Sequence, residues 1–344
     1  MNGFYLVLRI NGYREELDSI FELRDSEIEF FTLNAQTDGL NVINNYLLDG
    51  TVTEGGTRSI YPINMGSEQS IENLVFSSCP YYTKLDQNEL KKYKIVKTIL
   101  NSAEYYPMIY RPILNFGSFK HGIVDYYHDS YNLGTYPLFK ENFPSLNQKL
   151  TQFELILDDL ANIFKYVEPS QNNYKTFGHS IRNIIILACT EVENLLQRFL
   201  DFHKYPKGGK CTMNDYFKIH EYLRLHMATA SFPRYRQLER IRPFERWGTD
   251  KFSQLSWYAD YHDIKHNRET NYEKATLENA ILSVSAVGII LAMMYGQNNS
   301  YWNEKAGKFI IVENEPFSIS EYYIPPKFIK GYAEKWTQKT LWEK

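Results

Sequence analysis

The sequence predicts an α+β protein: a mixed α/β N-terminal domain followed by a mainly α-helical bundle. Three observations predict it. Residues 1–145 carry short aromatic and β-branched runs set between turn residues, with little helical periodicity. From about Leu146 onward, apolar residues recur at i, i+3 and i+4 over long segments. The aromatic fraction of the 344 residues is 16%, including 28 Tyr and 21 Phe, which is ample side chain for a core.

Taken in order, Phe4–Ile10 and Ile28–Leu33 read as strands. Gly50–Gly56 is a polar turn region and Leu74–Ser78 a further strand. Asp86–Tyr105 reads as a helix, because Leu90, Tyr93, Val96, Ile99 and Leu100 recur at helical spacing. The prolines, glycines and clustered tyrosines of 106–145 give irregular loop with short strands. The bundle occupies 146–296. Its first helix carries Phe153, Ile156, Leu160 and Phe164 and stops near Pro169. The second runs from about Lys175 to His203 on an apolar stripe of Ile181, Ile185, Ala188, Val192, Leu195 and Phe199. The third spans roughly Met213–Met227. An arginine-dense stretch follows: Arg234, Arg236, Arg240, Arg242 and Arg246. A fourth helix starts after Gly248-Thr-Asp250 and ends near Asn267. Thr270-Asn-Tyr-Glu273 matches a capping box and opens a last, apolar helix to about Tyr295. The tail, 297–344, holds strand-like runs at Phe309–Val312 and Phe317–Tyr323, then Pro325-Pro326 and a short helix packing on the body.

The net charge of −3 excludes a chain built as a polycation, so nucleic-acid contact would come from a local patch. The three cysteines have no CxxC or metal-ligand spacing, which suits a reducing cytoplasm, and Cys189 reads as a small buried apolar residue. Gly3–Ile10 is broken by Arg9 and reads as a strand, not a leader peptide. Ala280–Met294 is too short to span a bilayer and reads as a core helix, so no membrane partner is expected. No P-loop, GxGxxG or GxSxG occurs, and no cofactor is expected.

The stretch that draws chemical attention is 256–269, Ser-Trp-Tyr-Ala-Asp-Tyr-His-Asp-Ile-Lys-His-Asn-Arg-Glu. Its last turn puts Lys265, His266, Asn267 and Arg268 together, and its expected partner helix begins with His179, Arg182 and Asn183 and carries Glu193. Histidine moves protons near neutral pH, and arginine stabilises charge on phosphate through a two-pronged contact. The plain alternative is that cations at a helix C-terminus are favoured by the dipole alone. Arg182 and Glu193 lie close to one face of their helix but about 16 Å apart along it, so each would pair with another helix, as an inter-helix bridge or as support for His266 or Arg268. Glu191 and Arg198 occupy a different side, facing solvent or a partner subunit. His262 and His266 have an i, i+4 spacing that could hold zinc, but the sequence offers no third ligand; a hydrogen-bonded histidine on a half-buried face is the commoner outcome. Tyr235, Phe244 and Trp247 among the arginines suit either single-stranded nucleic acid or a salt-bridged surface.

Phe177-Gly-His-Ser-Ile-Arg-Asn183, Ala188-Cys-Thr-Glu-Val-Glu193, Pro243-Phe244 with Trp247, and Trp257…Tyr261…Lys265-His-Asn-Arg268 before an apolar helix together resemble a HEPN-like helical bundle, of an uncharacterised bacterial branch, over about residues 150–296. The resemblance implies a bundle of about five helices. It also implies action on RNA, a metal-independent ribonuclease in phage defence or a toxin-like system, and a homodimer. For such an activity the chemistry of the side chains gives catalytic roles to His266, Arg268 and Arg182, with Lys265, Asn267, Glu193, Asn183 and His179 as binding and orienting residues. Members that have lost catalysis imply the alternative, a dimerisation or ligand-binding module. The chain departs from the family's Arg-x4–6-His motif. The match nearest the partner helix, Arg198-Phe-Leu-Asp-Phe-His203, has Phe where a polar residue is usual, and His266 precedes Arg268.

Overall fold

A computed structural model of the chain describes residues 2–11, 14–24, 27–34, 39–47, 71–73, 75–76, 85–98, 104–106, 108–109, 137–238, 240–248, 254–295, 306–313, 328–329, 332–333 and 337–342. Gly50–Gly56, most of 106–136 and Phe317–Tyr323 lie outside them. The protein combines helix and strand, as an α+β sequence should, and divides into two compact units. One comprises 1–104, 112–132 and 318–337; the other comprises 105–111, 133–317 and 338–344.

The first unit is built on an antiparallel sheet of β1 (Gly3–Asn11), β2 (Arg14–Arg24), β3 (Glu27–Asn34), β4 (Gly39–Leu47) and β5 (Tyr93–Thr98), in the order β4-β3-β2-β1-β5. The first four strands form a meander, and β5 adds to the free edge of β1. β1 therefore lies second from an edge, and Tyr5, Leu6, Val7 and Leu8 are buried in succession, on both faces. Tyr5 sits opposite Phe21 on β2, and their rings stack at 4.9 Å. Arg9 reaches both neighbours, Asp18 at 3.1 Å and the Tyr93 hydroxyl at 2.8 Å.

Two sequence expectations change here. The helix expected over 86–105 is a single turn, Gln87–Leu90, closed by a capping box between Asp86 and Glu89. Tyr93–Thr98 then becomes strand, because Ile95, Val96 and Thr98 are β-branched and the unpaired edge of β1 offers a full ladder of hydrogen bonds. The strand expected at Leu74–Ser78 is also overturned where it is described: Val75 and Phe76 are helical, in line with Ile71–Asn73.

The second unit is helical, formed mainly by α1 (Pro137–Phe164), α2 (His179–Phe202), α3 (Ser256–His266) and α4 (Leu277–Tyr295). α1 begins at Pro137, so the loop expected up to residue 145 is helix from there; proline fits a first helical position, whose N–H has no partner anyway. α4 is the core. It is apolar all round and buried along nearly its whole length, as an unpatterned helix must be. Among the described residues it is the one helix long and apolar enough to cross a membrane, and 89% of its apolar window is buried. Gly288 lets α1 approach it: a Cβ there would lie 3.0 Å from the Phe153 ring. α1, α2 and α3 all pack on α4.

The last helix starts at Leu277, not Thr270. Arg268–Asn271 is a lone turn followed by a 3-10 turn at Tyr272–Lys274, and the Thr276 hydroxyl accepts from the Asn279 N–H at 3.2 Å in place of the expected capping box. The helix expected over 213–227 is broken into Met213–Phe217, His220–Leu223 and a 3-10 turn at Leu225–Met227, with Arg224 left-handed at φ 47° between the last two. In the tail, β6 (Thr229–Ser231) pairs with β7 (Ile311–Glu313), and a helical turn, Ala306–Phe309, precedes β7. The helix expected after Pro326 is replaced, among the described residues, by a small hairpin of Phe328–Ile329 and Tyr332–Ala333.

Candidate functional site

α3 carries its own polarity pattern. Trp257, Tyr258, Tyr261 and Ile264 are buried, while His262, Lys265 and His266 are exposed. The buried side is held at three points. The Trp257 indole N–H donates to the Pro243 carbonyl at 2.9 Å, and its ring meets Phe244 edge-on at 6.0 Å. The Tyr258 hydroxyl donates to Glu193 of α2 at 2.6 Å. Lys274 pairs with Asp263 and stands 3.7 Å from Asp260, whose carboxylate also accepts from Asn279 at 2.9 Å. Helix α3 is thus tied to α2, to the arginine-dense segment and to the start of α4.

On this base stands a ridge. His262 meets the Tyr258 ring at 4.9 Å and the Tyr261 ring at 5.3 Å. One turn on, His266 lies nearly parallel to it, with centroids 5.9 Å apart and planes 12° apart. Lys265 donates to the Tyr261 hydroxyl at 2.7 Å, and that bond holds its pKa above the usual lysine value. Burial lowers the His262 pKa from its ordinary 6.5, with the His266 and Lys265 charges adding to the effect and Glu193 opposing it. Burial and the bond to Glu193 push the Tyr258 phenol far above its ordinary range, so it is a fixed neutral donor. Burial likewise raises the Cys189 thiol, which is an inert core group, as the sequence suggests.

The expected site residues are brought together only in part. Glu193 meets α3 through Tyr258, and among the described residues no hydrogen bond or ion pair joins it to His266. The segment after α3 runs back along α2: Tyr272 packs on His179 at 4.9 Å and on Phe177 at 5.8 Å, and the Leu277 N–H donates to the Thr176 carbonyl at 2.8 Å. Among the described residues, no hydrogen bond or ion pair joins Arg182 to Lys265, His266 or Asn267, and Arg182 Nε is buried without a hydrogen-bond partner. Asn183 faces the other way, lining a cavity of about 350 Å³ with Asp159, Asn162 and Tyr166 of the α1 side. Asn267 closes α3 as its C-cap, its carbonyl accepting from Thr270 at 3.3 Å and Asn271 at 3.2 Å. The side chain of Arg268 lies outside the described residues.

Two further sequence ideas meet the structure. In the Arg198…His203 match, the two residues are far apart in environment. Arg198 is exposed over the Phe202 ring at 5.5 Å, whereas His203 is fully buried against Phe199 at 4.6 Å and Trp342 at 6.0 Å. A histidine so enclosed cannot meet a polymer substrate. In the arginine segment, Phe244 and Trp247 are 1% exposed and Tyr235 packs edge-on against Phe164 at 4.9 Å, so these rings are not platforms for bases. Their burial instead turns Arg234, Arg236, Arg240, Arg242 and Arg246 outward, with Arg242 bonded to Glu245 at 2.6 Å. Among the described residues no three His, Cys, Asp or Glu side chains converge as a metal site, so His262 and His266 stay a pair.

The residues that sequence reasoning undervalued are Tyr258 and His262. The signal was present in the i, i+4, i+8 spacing of Tyr258, His262 and His266, which sets three ring side chains along one side of α3. No protein-family model, curated protein or solved structure matches this chain.

Proposed function

We propose that the helical unit is HEPN-like and acts on RNA, with the α3 ridge as a metal-independent ribonuclease site. One observation carries this reading: two exposed histidines, His262 and His266, lie ring to ring at 5.9 Å with Lys265 beside them. Cleavage through the 2′-hydroxyl needs one group to take its proton and another to protonate the departing 5′-oxygen. His262, with a lowered pKa, is neutral at pH 7 and serves as the base. His266 is the proton donor, and the Lys265 ammonium offsets charge growing on the phosphate. Glu193 acts through Tyr258, fixing the turn on which His262 rests. The outward arginines, anchored to α3 through Pro243 and Trp257, supply backbone contacts along the strand. A phage-defence or toxin-like setting follows from the sequence resemblance alone.

The test is cleavage of single-stranded RNA by the purified full chain in the presence of a chelator. His262→Ala and His266→Ala should each slow it by about 100-fold or more. No cleavage by the parent, or variants that cleave as fast as the parent, removes the ribonuclease reading. The second reading, a non-catalytic dimerisation or ligand-binding module, is favoured by one feature: the Arg198…His203 match lacks the usual polar second residue, and its histidine is fully buried. A parent that sediments as a dimer and leaves RNA intact selects it.

A further inference from the structure

A cavity of about 360 Å³ lies beside the start of α4, where that helix meets the arginine-dense segment and Tyr174 of the loop leading into α2. Its volume suits a small organic ligand. Part of its lining is apolar: Ile281 is buried, and Ile241 and Leu282 are half-buried. Four charged side chains complete it, Arg240, Arg242, Glu245 and Glu278. Arg242 and Glu245 satisfy each other at 2.6 Å. One cation and one anion remain. Arg240 and Glu278 are exposed, and among the described residues neither side chain has a hydrogen bond or an ion pair, with the other or with any third group.

Arg240 is held there against its backbone preference. Its φ is 58°, in the left-handed region that glycine enters freely and a side chain disfavours. The next residue fixes it: Ile241 exchanges both backbone hydrogen bonds with Ala230, at 2.8 and 2.9 Å. The described fold gains nothing from an arginine at this position, because its guanidinium meets no protein group. A strained residue that presents an unengaged charge beside an apolar hollow points to a ligand. The α4 side supplies the other sign. Burial, and then the Glu278 charge, hold the Tyr174 phenol above its ordinary range. Tyr174 is thus a neutral hydroxyl at pH 7, able both to donate and to accept.

We propose that this cavity binds a free α-amino acid with an aliphatic side chain: its carboxylate on Arg240, its ammonium on Glu278, and its side chain against Ile241, Ile281 and Leu282. A zwitterion brings one charge of each sign, as the lining does. An anion alone would leave Glu278 unanswered, and a cation alone would leave Arg240 so. The planar guanidinium fork fits a carboxylate through two parallel bonds. The site stands apart from the α3 ridge and needs no action on RNA.

Calorimetric titration of the full chain with leucine, leucinamide, isocaproate and glycine tests it. Leucine should bind saturably below about 10 mM. Leucinamide lacks the carboxylate and isocaproate the ammonium, so each should bind about tenfold or more weaker, the loss expected for one charge-assisted contact. Glycine, without the apolar side chain, should also bind more weakly than leucine. Arg240→Gly relieves the backbone and removes the fork; it should melt no lower than the parent yet weaken leucine by about tenfold or more. Glu278→Gln should weaken leucine to a similar degree and cancel its advantage over isocaproate. No saturable leucine binding, or Arg240→Gly binding leucine like the parent, overturns the proposal. Isocaproate binding as tightly as leucine overturns the zwitterion. A Glu278→Gln variant that melts lower yet binds leucine like the parent makes that carboxylate a helix-end charge and overturns it too. No RNA enters this titration, so its outcome and that of the RNA assay are separable.

Discussion

Tyr258 links the two halves of the ridge at the level of single residues. Its hydroxyl has Glu193 at 2.6 Å, and only 6% of the residue is exposed. Tyr258→Phe keeps the packing and removes the bond, which should cost about 1–2 kcal/mol by urea unfolding, since Glu193 loses its donor. If the variant is as stable as the parent, Glu193 is satisfied by water and positions nothing. His262 has a pH signature. Its lowered pKa means that the unfolded chain takes up a proton there before the folded chain does. Stability should therefore fall as pH drops through about 6.5 toward the lower folded value and be insensitive to this group above that window. His262→Gln should flatten the acid limb of a melting-temperature profile taken between roughly pH 7 and pH 5.5. Histidine 266 was legible from the sequence as an exposed polar group at a helix end. Tyr258 as the partner of Glu193 was not, because the pairing joins helices 65 positions apart.

Helix ends and close approaches are where local rules met resistance. α2 ends in a Schellman arrangement: the Tyr205 N–H donates to the Leu200 carbonyl at 2.9 Å and the Lys204 N–H to the Asp201 carbonyl at 3.1 Å. Lys204 takes the left-handed position at φ 52°, which glycine fills without strain. Lys204→Gly should raise stability by about 0.5–1 kcal/mol, seen as a higher melting temperature. Gly288 is the opposite case. Its missing side chain is what lets Phe153 and Ile310 close on α4. Gly288→Val should cost about 1–3 kcal/mol through overpacking, despite the better helix propensity. α2 and α4 were legible because their patterns are long and agree with their burial. Tyr93–Thr98 was not: its apolar spacing fits either period, and the open edge of β1 decided it.

At the scale of the molecule, a chain with net charge −3 can bind a polyanion only through local cation clusters. Binding of RNA should accordingly be steeply salt-dependent, and Arg236→Gln should reduce the slope of log affinity against log salt by roughly 0.7, the single-strand value per phosphate contact. An unchanged slope places the RNA path away from the arginine segment. The order of the two unit types along the chain was readable, yet the second unit takes in 105–111 and 338–344 as well as 133–317, a return of the tail that no local pattern announces.

What the sequence determined by itself is what short-range physics controls. An aromatic, β-branched beginning gives strands, long stripes of apolar residues give α1, α2 and α3, and an unbroken apolar run gives the buried helix α4. Which polar groups meet was decided only by tertiary structure. Glu193 found Tyr258, and His203 went into an aromatic core while His266 stayed in solvent. The physical reason is that helix periodicity fixes the face on which a residue sits, whereas the helix opposite that face is chosen by the packing of the whole core.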